Sequence, residues 1–223
     1  MSKFIESTNS DRLFLIKQKP TFAYILVSSL LVFPIFRILF RGKTFGNSNV
    51  PQSGPLLVVS NHGSDLDPPI LGHALGRPVS FMAKKELFSV PILSQLITAC
   101  GAYPVRRGSS DREAIKTAIN LLNQGSAVGV FLDGTRQSNG RVNNPMAGAA
   151  LLSARSGADL LPVAIINSHR ALGKSKWPRL VPIHLRIGIP IKPPTSKKRD
   201  DLQETTNQLQ ASINSLIDEG LIA

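Results

Sequence analysis

Solid apolar runs of five to seven residues alternate along this chain with longer stretches whose apolar residues fall three or four apart. The solid runs predict buried strands: Leu56-Leu57-Val58-Val59-Ser60, Val79–Ala83, Ala127–Leu132 and Leu160–Ile166. Val181–Ile191 alternates as a fifth strand or a pair of short ones. The periodic stretches predict helices near 68–75, over 88–99, and after Ser110-Asp111-Arg112-Glu113. That tetrapeptide has the form of a capping box, and the helix it opens carries Ala114, Ile115, Ala118, Ile119 and Leu122 on one face until Gly125. Asn144-Pro145 reads as the cap of a small-residue helix ending at Gly157, and 201–219 as an amphipathic tail helix. Residues 42–55, rich in Gly, Asn, Ser and Pro, read as a connection. Strands alternating with helices predict an α/β fold: a mostly parallel central sheet covered by helices on both faces.

The amino-terminal pattern is different. From Pro20 to Phe36 no charged residue occurs; Arg37 interrupts, and Ile38-Leu39-Phe40 continue the run before Arg41 and Lys43. This is slightly short for a spanning helix of about 20 residues, and it contains Pro34. It has no cleavage site of small residues in the expected place. It reads as a helical membrane anchor, bent or paired, that need not cross the bilayer. A buried core helix is the plainer alternative. The chain divides on this reading into a membrane-associated segment, 1–45, and an α/β domain, 46–223.

Charge sharpens that picture. The 223 residues carry 26 Lys and Arg against 14 Asp and Glu, a net charge of +12, which calls for an anionic partner. Aromatic residues are 6% and are not interleaved with basic ones, which argues against nucleic acid. No acid lies between Asp159 and Asp200, an interval holding Arg170, Lys174, Lys176, Arg179, Arg186, Lys192, Lys197, Lys198 and Arg199. That is a solvated basic face, or a surface for anionic lipid headgroups or an acidic carrier. The single cysteine, Cys100, excludes an intramolecular disulfide and reads as a buried structural thiol.

Candidate chemistry gathers at three strand-to-loop junctions. The first holds His62 and, five residues on, Asp67. A histidine can take a proton from a hydroxyl while a carboxylate fixes its tautomer. Asp67 before Pro68 is equally a helix N-cap. The second junction holds Arg106 and Arg107, and the third Asp133, Gly134, Thr135 and Arg136. Arginine forks match phosphate oxygens, so a base beside them suggests a phosphorylated alcohol as nucleophile. Ser60 and Ser64 stand near His62, but no Gly-x-Ser-x-Gly elbow occurs.

At these residues the sequence resembles the glycerolipid acyltransferases, in particular the 1-acylglycerol-3-phosphate acyltransferases, over roughly residues 55–170. Asn61, His62 and Asp67 match the family's first block, and Gly101 through Arg107 its second. Phe131-Leu132-Asp133-Gly134-Thr135-Arg136 matches a third block that usually reads Phe-Pro-Glu-Gly-Thr-Arg, and Leu161-Pro162-Val163 a fourth. Leu132 and Asp133 depart from the family's Pro and Glu. The resemblance implies that His62, oriented by Asp67, deprotonates the sn-2 hydroxyl of 1-acylglycerol 3-phosphate. The alkoxide then attacks an acyl-CoA or acyl-carrier-protein thioester, giving phosphatidic acid for phospholipid synthesis. It assigns acceptor binding to Asn61, Arg106, Arg107, Asp133, Gly134, Thr135 and Arg136, requires no metal or cofactor, and places the enzyme at a membrane with its site on the cytoplasmic side. Other acceptors (glycerol 3-phosphate, another lysolipid) and a non-catalytic lipid-binding relative stand as alternatives.

Overall fold

The computed structural model describes residues 21–105, 112–171 and 179–222. Its strands are β1 (Lys43–Phe45), β2 (Leu56–Ser60), β3 (Val79–Lys84), β4 (Tyr103–Val105), β5 (Ala127–Phe131), β6 (Asp159–Ile166) and β7 (His184–Ile187). They form one sheet in the order β1-β7-β6-β2-β5-β3-β4. All pairings are parallel except β6 with β7. β2 is central because Leu56-Leu57-Val58-Val59 is apolar toward both faces, which suits a strand covered twice.

The helices are α1 (Phe22–Leu39), α2 (Asp67–Ala74), α3 (Leu93–Ala99), α4 (Arg112–Asn123), α5 (Gly148–Ser156), α6 (Ser168–Ala171) and α7 (Arg199–Ile222). Leu56 and Val58 pack with Phe36 of α1 and Ile70, Leu71 and Ala74 of α2. Leu57 and Val59 face the other way, toward Ala118 and Leu122 of α4, Leu152 of α5 and Leu209 and Ile213 of α7. The two-faced covering expected from the sequence is therefore present. Parallel pairing puts the carboxyl ends of β2, β5 and β6 on one edge, with Ser60 opposite both Phe131 and Val163. The loops holding His62 and Asp133–Arg136, and the short α6 with His169, follow from that edge.

Several elements differ from expectation. Lys43, Thr44 and Phe45 sit inside the expected connection yet pair with His184, Leu185 and Arg186, so the sheet begins ahead of the expected boundary at residue 45. The helix expected over 88–99 is only α3, preceded by a tight 3₁₀ turn over Lys85–Ser89. Pro91 lacks an N–H and disfavours helical backbone before it. α5 starts at Gly148 with Ala147 in the cap position, not Asn144. Cys100 is only partly buried. The expected fifth strand divides into β7 and an isolated bridge from Ile191 to Leu160. Ser110 and Asp111 of the expected capping box lie outside the described residues.

α1 is long and apolar enough to cross a membrane by length and composition, and only 11% of it is buried, which removes the core-helix alternative. Past Ser28 its hydrogen bonds widen to five-residue spacing around Pro34, which brings no N–H. One edge docks on α2. Tyr24 Oη donates to Gly72 O at 2.7 Å, Ser28 Oγ lies 2.9 Å from His73 Nδ1, and Phe33 and Phe36 meet the His73 ring edge-on. The opposite side exposes Phe22, Leu30 and Ile38.

Burial, reinforced by Arg37, holds His73 below the ordinary histidine value of 6.5. Burial also lowers His169 and His184. The unfolded chain therefore takes up these protons first, and stability falls as pH drops through about 6.5 toward the lower folded values. The melting temperature in detergent should fall between about pH 7.5 and about 5.5, and His73→Gln should flatten part of that fall. An unchanged slope in His73→Gln would separate the acid sensitivity from the α1–α2 contact.

Candidate active site

The loop after β2 turns back on itself around one carboxylate. Asp67 Oδ2 accepts from His62 Nδ1 at 2.8 Å, from Gly63 N at 2.7 Å and from Ser64 N at 2.8 Å. Asp67 is fully buried, and it is the first residue of α2 rather than its cap. Its carboxylate reaches back to the loop, while Pro68 needs no donor at the helix start. With Nδ1–H committed to Asp67, Nε2 of His62 is the free proton acceptor, on a side chain still 15% exposed. Phe131 stacks on the imidazole at 3.9 Å and 10°, and Phe81 stacks on Phe131. Gly129 leaves the space for the Phe81 ring.

The other matched residues divide into fastenings and exposed groups. Asn61 is fully buried and donates to Gly140 O at 2.7 Å and Ile165 O at 2.8 Å, while Ile165 N donates back at 2.8 Å. It fastens the loop, with both amide hydrogens and the amide oxygen bonded to backbone. Asp133 is buried and accepts from Asn144 N at 2.7 Å and Asn143 N at 3.2 Å. It therefore holds the following loop, and the carboxylate paired with Arg136 is Asp65, not Asp133. Leu132, in place of the family's Pro, is buried and donates its N–H to Ser60 O at 2.9 Å, a bond no proline can make.

Gly134, Thr135 and Arg136 are exposed, and Gly134 turns the chain at a φ of +64°. Arg136 Nη1 donates to Asp65 Oδ2 in the loop after β2, and Gln137 N donates to His62 O at 2.8 Å. The third block is thus brought against the first. Arg106 and Arg107 lie outside the described residues. The Ser60 hydroxyl donates to Asn61 O and Ser64 Oγ accepts from Leu66 N, so both side chains bond within the loop.

Sequence reasoning passed over three residues here. Asp65 was hidden between His62 and Asp67, whose roles are clearer. Phe131 was read as strand and as the first residue of the third block, without its stacking on His62. His169 packs its backbone against Gly63 and its ring against Gly140, and both glycines lack room for a Cβ. Burial and then Arg170 hold His169 low, while Asp67 pulls the other way. Pairing β6 beside β2 is what brings His169 here, and a linear reading does not carry that.

The family model described as Acyltransferase matches residues 41–166. The chloroplast 1-acyl-sn-glycerol-3-phosphate acyltransferase of Arabidopsis thaliana is 29% identical over 150 residues, covering 66% of this chain and 41% of that protein. The 1-acyl-sn-glycerol-3-phosphate acyltransferase of Bacillus subtilis is 33% identical over 124 residues, covering 55% and 61%. This chain spans about half the length of the curated relatives it matches first. The crystal structure of the 1-acyl-sn-glycerophosphate acyltransferase of Thermotoga maritima shares the fold, with a TM-score of 0.66 and 21% identity over 94% of this chain and 86% of that one. With the match covering more than half of its residues, the chain belongs to the acyltransferase family.

Proposed function

We propose that this protein transfers an acyl group from a thioester to the free hydroxyl of a lysophospholipid, with 1-acyl-sn-glycerol 3-phosphate as acceptor and phosphatidic acid as product. The observation that carries the reading is the His62–Asp67 pair at 2.8 Å, with Arg136 drawn beside it through the Gln137–His62 bond. The names of its relatives support the acceptor. His62 Nε2 takes the hydroxyl proton as the oxygen attacks the thioester carbonyl carbon. The tetrahedral intermediate collapses, the carbon–sulfur bond breaks, and the imidazolium returns the proton to the leaving thiolate. Asp67 holds the imidazolium while it exists. Arg136 takes the acceptor phosphate, with Arg107 and Arg106 as further cations from the second block. The exposed apolar side of α1 enters the membrane, and the basic residues of 170–199 favour its anionic surface. Much of the rate then comes from holding two lipid substrates in register.

His62→Ala should lower turnover of lysophosphatidic acid by about 100- to 10 000-fold with melting temperature kept, for both acyl-CoA and acyl-carrier-protein donors. Asp67→Asn should lose activity and stability together, because its carboxylate also holds Gly63 and Ser64. Full activity in His62→Ala would sink the mechanism.

Restoring the family's residues should harm this chain. Leu132→Pro removes a buried bond and should cost about 2–4 kcal/mol in urea unfolding. Asp133→Glu, with one methylene too many for its site, should cost about 1–2 kcal/mol. A gain in stability from either would show that the loop can re-form around them.

For α1, Leu30→Glu with Ile38→Glu should reduce cosedimentation with vesicles of anionic phospholipid, and high salt should not release the unchanged protein. Undiminished cosedimentation of the double variant would rule out insertion through this face.

A further inference from the structure

Among the described residues, the arginine assigned to the acceptor phosphate already has a partner. Arg136 and Asp65 form an ion pair with side chains 51% and 79% exposed. Asp65 lies three residues after His62, and Arg136 precedes the Gln137 N–H that bonds to His62 O, so the pair stands beside the dyad. The turn itself is held by other groups: Asp67 takes Gly63 N and Ser64 N, and Ser64 Oγ takes Leu66 N. Asp133, the acid nearest Arg136 in sequence, is spent on Asn143 and Asn144. The carboxylate of Asp65 is therefore directed at Arg136 rather than at building the loop.

A negative side chain in a phosphate subsite has two consequences. A phosphomonoester dianion must displace it from Arg136 and then lie next to it. A headgroup with both an ammonium and an anion meets the opposite case, since each of its charges finds a partner when the pair opens. The opening is within reach, because an exposed ion pair contributes at most about 1 kcal/mol, about fivefold in affinity.

We infer that Asp65 is a specificity-determining residue of the acceptor subsite: it competes with a phosphomonoester for Arg136 and receives the ammonium of a zwitterionic headgroup whose anion lies on Arg136. This rests on the acceptor subsite proposed above. It widens the range of acceptors from phosphomonoesters to amine-bearing lysolipids.

The test is calorimetric binding of two soluble headgroups, sn-glycerol 3-phosphate and sn-glycero-3-phosphoethanolamine, to the full chain in detergent. Asp65→Asn should tighten the first by about three- to fivefold and weaken the second by a similar factor. In an Arg136→Gln background, Asp65→Asn should no longer tighten glycerol 3-phosphate. The inference is overturned if both ligands move together, if neither moves or binds, or if the tightening persists without Arg136. Turnover of lysophosphatidic acid and lysophosphatidylethanolamine with acyl-CoA is measured beside it. Absent turnover with the opposed binding shifts retained would overturn the acyl-transfer reading and leave the role of Asp65 standing.

Discussion

One buried amide decides where the chemistry can stand. β2 pairs with β6 up to Ser60 opposite Val163, while β6 continues to Ile166. Two residues further along β6, Ile165 would present an unpaired N–H and C=O to the interior. The Asn61 side chain meets both, donating to one and accepting from the other, and adds a bond to Gly140 O. It stands in for the strand backbone that β2 no longer supplies. The main chain of β2 is thereby free to leave the sheet at His62, whose own carbonyl takes Gln137 N from the neighbouring loop. A carboxylate at this position has no N–H to give, and a buried unmet polar group costs about 1–3 kcal/mol. Amide chemistry is what these bonds require of position 61.

The acids around the site then sort by burial. Asp67 and Asp133 are buried, and each accepts backbone N–H groups that fix a loop. Asp65 is exposed and bound to an exposed arginine of the neighbouring loop, so it can exchange partners. The site thus has rigid parts, the imidazole between Asp67 and Phe131, and an adjustable part, the pair at its mouth. On the proposed mechanism, rigid placement suits a base that meets one hydroxyl, and on the role inferred for Asp65 an exchangeable pair suits more than one headgroup. The basic surface follows the same division. Arg186 and Lys192 are paired with Glu219 and Asp159, so the acid-poor interval is partly neutralised by residues at and beyond its edges.

The central strands were legible because a doubly buried strand must be apolar at every position, as 56–59 and 160–166 are. The His–Asp pair was legible through its spacing and its neighbouring blocks. β1 and β4 were not, because three residues give no period, and Lys43 and Pro104 argue against strands until a neighbour supplies the pairing. The backbone bonds of Asn61 and Asp133 were hidden for a related reason. A motif residue beside a catalytic one invites a substrate contact, and only the positions of Ile165, Asn143 and Asn144 reveal that these side chains are already occupied. Asp65 was invisible because its partner lies 71 residues away.

α2 joins the site to the apolar amino-terminal helix. Its first residue is Asp67, and near its other end Gly72 and His73 receive Tyr24 and Ser28 of α1. Eight residues at 1.5 Å each make this helix about 12 Å long. Whatever surface holds α1 therefore lies within one short, rigid element of the carboxylate that orients His62. The contact is polar and specific, with a tyrosine hydroxyl on a helix carbonyl and a serine on an imidazole, where simple burial would have needed only apolar packing. Hydrogen bonds fix direction as well as distance, so α1 is held at a set angle to α2 rather than loosely tethered. On the proposed reading, with α1 in a bilayer, a tyrosine and a serine anchored on the helix that begins with Asp67 would set the height of His62 above that bilayer.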